Sequence, residues 1–164
     1  MPSDASAGAG GALELRRFAP ADAHAVRKLH DLARREDRAG SGPARRAEDL
    51  DSIPATYIDD GGEFLVGVCD DRVVAIGALR HITDTVVEIM RVNVHPAFQR
   101  RGFAGLLLAG LEARARELGY QELRLDTAIT QTAAQRLFNG AGFRDVGRGQ
   151  FAGVEVVYFA KSLP

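Results

Sequence analysis

The chain has almost no cysteine and no surplus of either charge. Cys69 is the only thiol in 164 residues, so no intrachain disulfide framework can form and no metal site can rest on cysteines. Lys and Arg number 21 against 22 Asp and Glu, a formal net charge of -1. That balance supplies no basic field for nucleic acid and no polybasic patch for a membrane surface. The first residues are mostly Gly, Ala and Ser and lack the basic start and apolar segment of a signal peptide. No apolar run approaches the roughly 20 residues that span a bilayer. The expectation is a cytoplasmic protein with a disordered tail over 1–11, one domain over 12–164, and neither nucleic acid nor membrane as partner.

What is present is a hydrophobic fraction of 46%, enough to bury a core. Leu13 to Phe18 alternates like a half-buried strand. Pro20 and Asp22 open a helix in which Ala25, Val26, Leu29 and Leu32 recur at helical spacing. The pattern weakens from Arg34 to Pro54. Charges of both signs flank Gly40-Ser41-Gly42-Pro43, which reads as a loop with a short helix over 47–53. Three strands follow, Glu63 to Cys69, Val73 to Leu79 and Val86 to Val94, with turn signals at Asp70-Asp71 and Asp84, as in an antiparallel meander. Cys69, inside the first of these, reads as a packed thiol. Pro96 ends the last strand because it has no N–H for the ladder.

The period then changes. Ala104, Leu107, Leu108, Leu111, Ala115 and Leu118 form one helical stripe, closed by Gly119. A strand starts near Leu123. Thr130 can cap a helix reaching Asn139, closed by Gly142. Strands near Arg144 to Gly147 and Val154 to Phe159 finish the chain. Helical crossovers imply parallel neighbours in this half. The fold class is α/β, a mixed central sheet of about six or seven strands flanked by helices on both faces. The apolar terminal strand Val154 to Phe159 could pair at an edge and build a homodimer.

The junction Val92-Asn93-Val94-His95-Pro96-Ala97-Phe98-Gln99-Arg100-Arg101-Gly102-Phe103-Ala104-Gly105 carries the chemistry. A strand runs through a short loop straight into a helix whose first amides have no partner inside the helix, and whose dipole favours an anion. Gly102, with small Ala104 and Gly105, lets a diphosphate approach that backbone. Arg100 and Arg101 add positive charge at the rim. A glycine that serves only the turn is the plain alternative. No Gly-Lys-Ser or Gly-Lys-Thr follows, and Gly102 has no glycine two residues earlier, so neither the P-loop nor the dinucleotide fingerprint fits.

Gln99-Arg100-Arg101-Gly102-Phe103-Ala104 resembles the coenzyme-A signature of the GNAT acetyltransferase superfamily: Gln or Arg, two residues, Gly, one residue, Gly or Ala. The lead-in Val94-His95-Pro96 and the later Ala134-Gln135-Arg136-Leu137-Phe138-Asn139-Gly140-Ala141-Gly142-Phe143 are similar to the family too. The resemblance implies a sheet splayed between its fourth and fifth strands. It implies acetyl-CoA as donor, with no metal, and a small-molecule or protein amine as acceptor, attacking the thioester directly. The backbone of Val92 and Val94 would hold the pantetheine arm. The loop amides of Gln99, Arg101, Gly102 and Ala104 would hold the pyrophosphate, with Arg100 and Gly105 nearby. Gln131 would offer an amide near the pantetheine.

Glu88 is the base candidate: it lies on the strand that leads to the signature, and its distance before Gly102 resembles that of the catalytic glutamate in the histone-acetyltransferase branch of the family; a solvated glutamate at a strand edge is the plain alternative. Strand alternation would set it on the face of Met90 and Val92, and a carboxylate among apolar neighbours is the better proton acceptor at neutral pH. Phe138 stands where many members place a tyrosine as acid. It can pack on the cofactor but cannot donate a proton, which favours the alternative of a non-catalytic acyl-CoA-binding module. Among the histidines, His24 and His30 read as surface or core residues and His95 as structural. His81 is a second base candidate on the acceptor side. Asp126 and Thr127 either line the acceptor pocket or cap a turn.

Overall fold

The computed structural model describes residues 11–36 and 47–164. The tail over 1–10 and the loop around Gly40 to Pro43 lie outside them. A seven-stranded sheet runs in the order β1-β2-β3-β4-β5-β7-β6. Its first half is the expected antiparallel meander: β1 (Glu14–Arg17), β2 (Glu63–Cys69), β3 (Arg72–His81) and β4 (Val86–Val94). Between β1 and β2 lie α1 (Ala23–Glu36), a 3-10 turn at Glu48–Asp51 and a π-type turn at Pro54–Ile58 that sequence patterning did not foresee. From β4 the chain passes through α2 (Phe103–Glu117) to β5 (Glu122–Ala128), then through α3 (Thr132–Gly140) to β6 (Arg144–Phe151) and β7 (Val154–Ser162).

Parallel pairing is confined to β4 with β5. The expectation of parallel neighbours where helices join the strands holds for β4 and β5 and is corrected for β5 and β6, because β7 inserts between them and is antiparallel to both. The cause is local. Ala152 and Gly153 both adopt positive φ, 51° and 79°, the backbone of a tight hairpin, which forces β6 and β7 antiparallel. The more apolar of the two then takes the inner place: Val156, Val157, Phe159 and Ala160 are buried, whereas β6 is exposed or half-buried throughout. The terminal strand therefore offers no free edge for a dimer; the sheet edges are β1 and β6.

Two layers cover the sheet. On one face α2 and α3 contribute Leu107, Leu108, Leu111, Ala115 and Phe138 to a cluster with Leu79, Val87, Ile89, Leu123, Leu125 and Phe159. Fully buried Leu107 and Leu111 each contribute roughly 1.5–3 kcal/mol of burial. On the other face Val26 and Leu29 of α1, with Leu50 and Tyr57 of the two turns and Ile53 between them, pack on Phe64, Val66, Ile76 and Ala78. Asp22 works ahead of α1 by accepting the Ala19 N–H at 2.8 Å and a bidentate contact from Arg16. Thr130 does not cap α3, which begins after Gln131 with no side-chain cap. Cys69 is buried and donates to Gly11 O at 3.3 Å, a packed thiol as expected. No helix among the described residues is long and apolar enough to cross a membrane.

Candidate functional site

β4 and β5 are paired only where Val86, Val87 and Glu88 meet Glu122, Leu123 and Arg124. Beyond Glu88 the strands part, and a cleft of about 760 Å³ opens between them. Its walls come from both faces of the sheet: Leu137 and Phe138 of α3 from one, His30, Ala33 and Arg34 of α1 from the other. The gap is therefore a passage through the sheet.

The β4 side of this passage has an unpaired backbone edge. His95 N donates to Val74 O at 2.7 Å, and Val94 lies opposite Ala75 in the next register position. Antiparallel strands alternate hydrogen-bonded and non-bonded pairs, so the N–H and C=O of Val94 turn toward β5, as do those of Val92 two residues earlier. One of these groups, Val94 O, accepts Gln99 Nε2 at 3.3 Å.

Where β4 ends, Arg100 and Gly102 adopt left-handed φ values of 65° and 79° and swing the chain into α2. The first helical bond of α2 is Leu106 N to Gly102 O at 3.2 Å, so the amides of Phe103, Ala104 and Gly105 stand ahead of the ladder. Gly102 has no side-chain cap, and a Cβ built on Gly102 or Gly105 meets no atom within 4 Å. That open space over a helix N-terminus fits a diphosphate, and the parted strands leave room for the pantetheine arm.

Nine of the ten residues expected to bind the cofactor line the cleft: Val92, Val94, Gln99, Arg100, Gly102, Ala104, Gly105, Gln131 and Phe138. Arg101 does not. Its guanidinium lies 4.8 Å over the ring of Phe98, a residue of the cleft wall that Arg72 also approaches. Gln131 Oε1 accepts the Thr127 hydroxyl at 2.8 Å, an orientation that leaves its amide hydrogens for the cleft. Phe138 packs on Phe143 and Phe159. Among the described residues no tyrosine lines the cleft.

Glu88 stands at the fork of the two strands, but not in the expected surroundings. Arg80, opposite it on β3, donates to Glu88 Oε1 at 2.6 Å. Nor does Glu88 share a face with Val92. Arg91 takes a φ of 61°, and the register against β3 slips by one residue there, a bulge that resets the alternation. Met90 belongs to the α1 cluster, whereas Ile89 and Val92 belong to that of α2.

The bulge aims Arg91 at the α1 side. Its side chain is 7% exposed and bonds Asp49 through Nε at 3.0 Å and Nη2 at 2.6 Å; the Tyr57 hydroxyl donates to the same carboxylate. Burial alone would raise the Asp49 carboxyl, but the Arg91 and Tyr57 hydrogen bonds outweigh it and hold it below the usual carboxylate range. Beside this pair sits His30, 5% exposed, whose proton affinity is lowered by burial and then by Arg91.

His81, the second base candidate, lies outside the cleft. Its Nδ1 is 2.8 Å from the Tyr120 hydroxyl, which donates to Gly61 O, so His81 is the donor in that pair. Asp126 and Thr127 both line the cleft. His95 is structural, accepting the Ala97 N–H on Nδ1. Sequence reasoning missed Arg91 and His30. The signal for His30 was a polar residue on the stripe of Val26 and Leu29; Arg91 gave none, because the bulge depends on the pairing with β3. No group of three or more metal-ligating side chains occurs among the described residues.

Residues 25–143 match the model of the acetyltransferase (GNAT) family. Human N-acetyltransferase 8 is 27% identical over 71% of this chain and 56% of its own length. Human N-acetylaspartate synthetase is 34% identical over 60% of the chain and 33% of its own length. The chain thus spans from a third to just over half of these curated relatives. Among solved structures, a GNAT acetyltransferase from Staphylococcus aureus superposes with a TM-score of 0.81 at 15% identity, covering 93% of this chain and all of the other. One from Elizabethkingia anophelis with acetyl-CoA bound gives 0.67 at 17% identity, over 92% and 98% of the two chains. The parted β4 and β5, the glycine junction into α2 and the family match over residues 25–143 agree: this chain belongs to the GNAT acetyltransferase family.

Proposed function

We propose that the chain transfers an acetyl group from acetyl-CoA to a primary amine, held with the donor in one ternary complex. The observation that carries this reading is a pair of backbone surfaces left outside the strand and helix ladders in one cleft: the β5-facing edge of Val92 and Val94, where Val94 O takes Gln99 Nε2, and the uncapped amides above Gly102. Acetyl-CoA bound there supplies an activated thioester carbonyl. The chain's share of the work is to align that carbonyl with the amine, to polarise it through a backbone N–H of the open β4 edge, and to accept a proton from the acceptor. Glu88 places a carboxylate at the fork with Oε1 held by Arg80, suited to attracting an ammonium. The non-catalytic reading draws its support from Phe138, which leaves the cleft without a tyrosine donor among the described residues.

A thermal melt with acetyl-CoA, coenzyme A and ATP tests the donor site. A ligand at about 100 times its dissociation constant stabilises the fold by roughly 2.7 kcal/mol. A shift with the two coenzyme-A compounds and none with ATP supports the site; no shift with any of them overturns it. Thiol release from acetyl-CoA is then followed with a panel of amines. L-Aspartate enters that panel on the names of the N-acetylaspartate synthetases, beside spermidine and a short peptide with a free N-terminus.

A further inference from the structure

We infer that His30, rather than Glu88, takes the proton from the acceptor ammonium in this cleft. The inference rests on the acetyl-transfer reading above. His30 lies on the buried stripe of α1 and is 5% exposed, yet none of its ring nitrogens makes a hydrogen bond to a described residue, and no side-chain nitrogen among the described residues is both sealed from solvent and unpartnered. Both ring nitrogens therefore keep some exposure, and His30 is among the residues that line the cleft. A buried imidazole with unused nitrogens facing a substrate cleft is arranged to exchange a proton with what enters.

The charges around His30 favour its neutral form, which is the form that accepts. Arg27 and Arg34 on α1 and Arg91 on β4 disfavour a second positive charge, opposed by Asp31 on α1. Asp49 and Tyr57 stand behind Arg91 and are already bonded; Asp126 and Glu88 line the cleft from β5 and β4. Glu88 is the weaker candidate because one of its oxygens is bound to Arg80 at 2.6 Å.

The acceptor ammonium gives one proton to an imidazole nitrogen of His30. The freed lone pair forms the C–N bond to the acetyl carbon, and the C–S bond breaks with its electrons on sulfur. The second nitrogen proton passes to that sulfur, and His30 returns the first to solvent.

The test compares His30→Gln and Glu88→Gln in the full chain, with thiol release followed against pH using the amines named above. The wild-type rate should rise through a limb below the ordinary histidine value of about 6.5. His30→Gln should lower kcat/KM by about 100-fold and remove that limb, with the acetyl-CoA melt shift intact; Glu88→Gln should keep the limb. If His30→Gln retains the wild-type rate and limb, or if the limb vanishes only in Glu88→Gln, this inference fails and acetyl transfer stands. If the wild type binds no acetyl-CoA or acetylates none of the amines, both readings fall. Ring-nitrogen NMR of the wild type needs no variant that folds: a His30 ring that does not titrate between about pH 4 and about pH 9 overturns the inference.

Discussion

Arg91 Nη2 lies 2.6 Å from Asp49 Oδ1, and this pair ties the β4 bulge at the mouth of the cleft to the turn that follows α1. Both side chains are largely buried and the Tyr57 hydroxyl completes the carboxylate's bonds. Removing Arg91 leaves the buried Asp49 carboxylate without its guanidinium. Arg91→Ala is expected to cost about 3 kcal/mol in urea unfolding. The double change Asp49→Leu with Arg91→Met should cost less than Arg91→Ala alone, because it removes the carboxylate together with its guanidinium. A double variant less stable than Arg91→Ala would show that the pair itself stabilises the fold.

Gly102→Val should abolish the acetyl-CoA melt shift, since the new side chain would occupy space that holds no protein atom within 4 Å. Its left-handed φ of 79° adds about 1–2 kcal/mol of strain. Gly119→Val serves as the control. It has a φ of 91° with equally open surroundings and should carry the strain while keeping the shift. Loss of the shift in both variants would mean that destabilisation, not blockage, is being measured.

Glu63 joins β1, β2 and α2 through Arg17 at 2.9 Å and Arg114 at 2.7 Å. Burial would raise its carboxyl, but the two guanidinium bonds outweigh this and hold it below its ordinary value. A carboxyl depressed in the folded state contributes stability above its unfolded value, about 4.3, and loses it as pH falls through the folded one. Glu63→Gln should therefore be about 3 kcal/mol less stable than wild type at neutral pH, and the gap should narrow on acidification. A gap independent of pH would assign the loss to packing.

Phe138→Tyr adds a hydroxyl to a ring that lines the cleft and otherwise packs on Phe143 and Phe159. If departure of the thiolate limits turnover, kcat should rise by about tenfold, read from thiol release at saturating amine. An unchanged kcat would show that the thiolate leaves without help from this position.

Much of this was legible in the linear pattern. The strand Val86–Val94 was read to the residue, and α2 to within one, because alternation and helical spacing are local. The glycine junction was legible for the same reason: strand end, loop and helix start are contiguous. Faces and partners were less so. The alternation that put Glu88 beside Val92 fails at Arg91, where β3 contributes one residue fewer than β4. The stacking of Arg101 on Phe98 was equally out of reach of a local pattern.

The sequence by itself determined the elements, their order, and the glycine junction that opens the N-terminus of α2, since each depends on residues a turn or two apart. Only the tertiary structure decided that β7 sits inside β6, that Arg80 holds Glu88, and that His30 faces the same cleft as Phe138. Those relations depend on which apolar strand wins the interior place and on where two strands stop pairing. Both are settled by contacts between segments far apart in the chain, whose packing energies no local pattern encodes.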